Sequence, residues 1–180
     1  MVFRRIFGKD KEEAPQWDEP TLATMAVGFL LDFDLTTWEV VAQARYDYDG
    51  FESNEWTLRS GNSVRFLEGY EENGQMHWTL TCEVQWSSLD EKIGVQITEA
   101  GDPPESVQYE GADYEAVEST PGLYYEGNNK TGREFVSWSY GGKGGAVLFI
   151  SQWGEREFSA FAGHEVEEYQ FSNILPAAKE

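Results

Sequence analysis

The chain has 180 residues, 40% of them hydrophobic and 15% aromatic, which is enough apolar material for a packed core in one ordinary domain or two small ones sharing a core. Its 33 Asp and Glu against 13 Lys and Arg give a formal net charge of −20, which repels phosphate backbones and argues against nucleic-acid binding. One Cys and two His exclude an internal disulfide and a structural zinc cluster, and no apolar run is long enough for a signal peptide or a membrane span, so a cytoplasmic, reducing location is expected.

In chain order, residues 1–20 read as a flexible tail with a basic, apolar start. Phe3, Arg4, Arg5, Ile6 and Phe7 are candidates for weak peripheral contact with an anionic bilayer. From Trp38 to Tyr48 the sequence alternates Trp38, Val40, Ala42, Ala44, Tyr46 and Tyr48 against polar neighbours, the period of a half-buried antiparallel strand. Asp47-Tyr48-Asp49-Gly50 follows at a turn. Its two carboxylates are weak candidate Ca²⁺ ligands, set against the ordinary preference of Asp and Gly for turns. Asn73-Gly74 marks a tight hairpin, and His77 to Trp86 again alternates, with Trp78, Leu80, Cys82, Val84 and Trp86 on one face. No stretch shows helical period over three turns.

Beyond a break at Gly101-Asp102-Pro103-Pro104 the order of signals repeats at an offset near 80. Trp38-Glu39-Val40 is echoed by Tyr114-Glu115-Ala116, Trp56-Thr57-Leu58 by Trp138-Ser139-Tyr140, and Val64 to Leu67 by Val147 to Ile150. The expected fold is therefore all-β with little helix: internally duplicated antiparallel meanders, two small barrel-like or sandwich halves packed together. The first repeat spans residues 21–100 and the second 105–176, with a short tail at 177–180.

Val27-Gly28-Phe29-Leu30-Leu31-Asp32-Phe33, Thr37-Trp38-Glu39-Val40, Glu55-Trp56-Thr57-Leu58 and the closing Ser172-Asn173-Ile174-Leu175-Pro176 together resemble the bacterial domain-of-unknown-function family 4178, over about residues 22 to 176. The resemblance implies no reaction and supplies no catalytic residues. It implies a genomic setting beside membrane-stress proteins, potassium channels and polyamine-synthase-like enzymes. The zinc ribbon that some relatives carry in front does not occur in this sequence.

No nucleophile elbow, phosphate-binding loop or dinucleotide-binding pattern is present, so no catalysis and no cofactor are expected. His77 reads as a solvated residue beside its hairpin. His164 falls on the apolar face of its strand, as a buried neutral imidazole or, less often, a ligand contact. Trp and Tyr exceed what a core of this size usually needs. That surplus makes Trp38, Trp56, Tyr124, Tyr125, Trp138, Trp153 and His164 the weak candidates for binding a partner or ligand. Two functions follow: a non-catalytic module that binds a protein partner in a membrane-stress setting, or a binder of a small cation, polyamine or Ca²⁺, drawn by charge and aromatic faces.

Overall fold

A computed structural model describes residues 20–176; the proposed membrane-contact residues Phe3 to Phe7 lie outside that range. The chain is a succession of hairpins. β1 (Leu30–Phe33), β2 (Thr36–Tyr48), β3 (Phe51–Ser60), β4 (Ser63–Glu72) and β5 (Gln75–Glu83) form one meander. After the helix α1 (Lys92–Ala100), β6 (Ser106–Tyr109), β7 (Ala112–Glu126), β8 (Arg133–Gly141), β9 (Ala146–Gly154) and β10 (Glu157–Val166) form a second, and β11 (Phe171–Leu175) ends the chain. Asn73 and Gly74 take φ of +53° and +80°, and Asp49 and Gly50 +57° and +97°, the paired positive values that let a two-residue turn follow the strands' twist.

All pairings are antiparallel, as the alternating patterns require. β5 joins β10 and β2 joins β7, so the two meanders complete one ring of eight strands, β2-β3-β4-β5-β10-β9-β8-β7. A closed ring leaves no free edge among those eight. Along one edge, β2 and β7 each serve two partners in turn. In β2 the register shifts between Val40 and Ala42, and in β7 between Ala116 and Glu118. Such a bulge bends the strand, so that its first part pairs with the short β1 or β6 and its second part with the other meander.

The apolar faces of the strands point out of the ring. On the first meander, Trp38, Val40, Trp56, Leu58, Leu67, Trp78 and Leu80 are covered by Leu22, Met25 and Phe171. On the second, Trp138, Tyr140, Leu148, Ile150, Ala160 and Ala162 are covered by Leu89, Ile93, Ile97 and Val107. The two central indoles each tether their own cover: Trp56 Nε1 donates to Met25 O at 3.1 Å and Trp138 Nε1 to Asp102 Oδ1 at 3.1 Å.

Two local expectations need correction. The segment between the meanders holds a helix, α1, with Ile93 and Ile97 one turn apart on its buried face and Gly101 ending it at φ +88°. Its nine residues are too few for a helical period to stand out in sequence. The strand read as running to Trp86 stops at Glu83, and Trp86 opens a 3-10 turn (Trp86–Ser88) where its ring stacks on Phe158, centroids 5.1 Å apart. Packing against the second meander has overridden the alternation. No helix among the described residues is long and apolar enough to cross a membrane.

Candidate functional site

Because the apolar faces point outward, the alternate residues of every strand face the interior of the ring, and they are not uniformly apolar. The pairing registers place Tyr46, Tyr48, Ser53, Glu55, Phe66, Glu68, Tyr70 and Thr79 on the inward face of the first meander. The same logic places Thr120, Gly122, Phe135, Ser137, Ser139, Phe149, Ser151 and Trp153 on that of the second. Between them lies a cavity of about 590 Å³, within the range of small-molecule sites. Glu68, Glu72, Glu118 and Glu165 line it, Tyr48, Phe51, Tyr70 and Phe149 give it aromatic walls, and none of the described residues lining it is Lys or Arg.

Glu55 and Glu68 are direct cross-strand partners on β3 and β4. Such neighbours have Cβ atoms roughly 5 Å apart, so two carboxyl groups meet inside the ring. Each is held by hydroxyl donors: Tyr46 Oη donates to Glu55 Oε2 at 3.0 Å, and Ser53 Oγ donates to Glu68 Oε1 at 2.5 Å. Desolvation inside the barrel pushes the Glu55 carboxyl up to about 8, the charge of Glu68 adds to the rise, and the hydrogen bond from Tyr46 opposes it. Glu68 is raised as well, chiefly by burial, against the hydrogen bonds of Ser53 and Tyr48. Tyr46 and Tyr48 are themselves pushed upward, first by burial and then by these two carboxylates, so their hydroxyls stay protonated. Toward the rim, burial and then the charges of Glu72, Glu165, Glu68 and Glu118 raise Tyr70.

The sequence candidates scatter across this architecture. Trp38, Trp56 and Trp138 are 7%, 3% and 5% exposed and belong to the outer cores, which corrects their assignment to a binding surface. Packing of the covers over both outer faces is the physical reason. Tyr124 and Trp153 do face inward, with centroids 5.5 Å apart, and Trp153 also meets Phe135 at 5.0 Å, closing part of the interior with an aromatic cluster. Tyr125 points the other way and carries the Arg45 guanidinium at 4.0 Å from its centroid.

His164 shares the face of Ala160 and Ala162 yet is exposed, because it falls between the two outer cores, Ala160 and Ala162 belonging to one and Val166 packing on the other; the buried imidazole expected from sequence does not form. His77 stacks on Tyr70 at 5.0 Å, with Nε2 4.0 Å from Glu72. Asp47 Oδ1 accepts the Gly50 N–H at 2.9 Å, the turn role weighed against calcium. Among the described residues no three His, Cys, Asp or Glu side chains converge as a metal site.

Sequence reasoning missed the Glu55 and Glu68 pair entirely. The one available signal was period two itself: Glu55 and Glu68 sit out of phase with Trp56 and Leu67, which marks them as sharing a face but not which side of the sheet is enclosed.

The family described as "Domain of unknown function (DUF4178)" matches residues 26–168. An "Uncharacterized protein" of Aquifex aeolicus (strain VF5) is 27% identical over 175 residues, covering 96% of each chain. No solved structure matches.

Proposed function

The chain belongs to the DUF4178 family, and we propose that it is a non-catalytic binder of a small organic cation, held in the interior of the barrel. The observation that carries this reading is the cavity with four carboxylates, aromatic walls and no lining Lys or Arg among the described residues. Carboxylates attract a cationic head, and Tyr48, Phe51, Tyr70 and Phe149 offer faces for cation-π contact and for alkyl segments. The acids are spread along these walls rather than gathered at one point. That spacing suits an amine or polyamine with a hydrocarbon spacer better than Ca²⁺, which needs six to eight convergent oxygens. A partner-binding surface, the other expectation from sequence, draws less support, since three of the indoles that suggested it are in the outer cores. The reading goes with a reducing, cytoplasmic setting and with an origin by duplication, which the matching hairpin order and bulges of the two meanders support.

The test is thermal unfolding of the full chain with and without millimolar spermidine, with Ca²⁺ as the comparison. A ligand that binds only the folded state raises Tm. Spermidine is expected to raise it more than Ca²⁺, and Glu68→Gln to abolish most of the rise. No shift with spermidine, putrescine or a simple monoamine overturns the proposal.

A further inference from the structure

The acids of the barrel differ in kind, and Glu68, which lines the cavity, has Glu55 as its cross-strand neighbour just beyond the lining. Glu72, Glu118 and Glu165 are exposed at the rim, where water solvates each charge separately. Glu55 and Glu68 are opposed across a strand pair inside the ring, and their hydrogen-bond donors are the hydroxyls of Tyr46 and Ser53, with Tyr48 also beside Glu68. None of those donors carries charge. The facing elements bring little compensation: β2 presents Tyr46 and Tyr48, β4 Tyr70 and Glu72, β7 Glu118, Tyr124 and Glu126, β10 Glu165, and β8 and β9 the hydroxyls of Ser137, Ser139 and Ser151, while the one cation on the inward register, Arg133 of β8 beside Tyr124 and Trp153, is paired with Glu157 at 2.6 Å. The sole imidazole nearby, His77, is at the rim against Glu72. Two carboxylates so placed cannot both ionise cheaply, because each charge loses its water and repels the other.

Resting on the proposed binding of an organic cation, we infer that Glu55 and Glu68 share one proton in the empty barrel and that the incoming ammonium group displaces it. The carboxylic O–H bond breaks, its proton passes to solvent, and the ligand's N–H groups take up the hydrogen bonding to a now doubly ionised pair. Site charge is balanced before and after: a proton leaves as a cation arrives. The pair thereby selects cations that can donate hydrogen bonds, amines over quaternary ammonium ions, because only a donor replaces the lost O–H. Uptake then tightens with rising pH and loosens as pH falls.

The experiment is calorimetric titration of spermidine into the full chain at pH 7 in phosphate and in Tris, buffers with very different ionisation enthalpies. Proton linkage predicts release of about one proton per ligand, seen as unequal heats in the two buffers, and affinity rising roughly tenfold per pH unit between pH 6 and 7. Glu55→Gln should still bind while losing the buffer difference and the pH slope, whereas Glu72→Gln at the rim should keep both. Tetramethylammonium should bind more weakly than methylammonium. Binding with equal heats in both buffers overturns the proton exchange while leaving the cavity reading intact. Absence of any binding heat overturns that reading and this inference with it. The wild-type measurement decides the matter even if a variant fails to fold.

Discussion

The two meanders have outer faces of the same chemistry and inner faces that differ at their centres. Outside, Trp56 and Trp138 occupy corresponding central places, each buried and each bonded to the segment that precedes its own meander. Inside, the residues just before those indoles, with their cross-strand partners, are Glu55 with Glu68 on one wall and Ser137 with Ser151 on the other. Both pairs sit at the same place in the hairpin, yet there one wall encloses two carboxyls and the other two hydroxyls, Ser151 donating to Ser137 at 3.3 Å, while acids stand at the rim on both walls. The outer faces therefore make the fold and the inner faces make the site, and a chain can alter one while keeping the other.

The sharpest way to break the symmetry is at the seam between the meanders. A Cβ on Gly163 would collide with Leu80 O and Thr81 Cα, backbone atoms that cannot swing aside. Gly163→Ala is expected to cost on the order of 4 kcal/mol, read by chemical denaturation, with the β5 to β10 amides losing hydrogen-exchange protection first.

Next come the paired indoles. Trp56→Ala and Trp138→Ala should each destabilise by about 3 to 5 kcal/mol. Their local signatures should differ, the first loosening the chain around Met25 and the second the segment around Asp102 and α1. Equal loosening of both covers in either variant would show that the outer cores are one cooperative unit rather than two.

The inner faces are compared by pH. Glu55 keeps its proton in the folded barrel up to about 8, whereas the unfolded chain releases it near the ordinary carboxyl value of 4.5. Between those values the folded state binds the extra proton, so stability falls as pH rises through that window. Tm should therefore drop from about pH 5 to pH 8. Glu55→Gln should remove much of the slope and stabilise the protein by about 2 kcal/mol at pH 8, while Ser137→Ala on the opposite wall should leave the slope unchanged.

The smallest effect lies in matching turns. Leu35 closes the β1 to β2 hairpin at φ +59° with its side chain fully exposed, where the β6 to β7 hairpin has Gly111 at φ +79°. Leu35→Gly should relieve that strain and gain about 0.5 to 1 kcal/mol in denaturation midpoint analysis.

Much of the strand pattern could be read directly. Period two in Trp38 to Tyr48 and His77 to Glu83, and the Asn73-Gly74 and Asp49-Gly50 turns, are local properties, because strand pleat and positive φ depend on a few neighbouring residues. The correspondence of Trp56 with Trp138 was likewise visible as order along the chain. Helix α1 was not, since its burial depends on the second meander beneath Ile93 and Ile97. Nor was the site. Alternation separates Glu55 and Glu68 from Trp56 and Leu67, but the side that becomes interior is fixed only when β2 meets β7 and β5 meets β10. By itself the sequence determined strands, turns, acidity and aromatic content, each a sum of short-range preferences. Tertiary structure alone decided that the ring closes with its mixed polar face inward, because closure depends on pairings between residues about 80 positions apart, and that closure turned acids on one strand face into an enclosed, proton-holding pair.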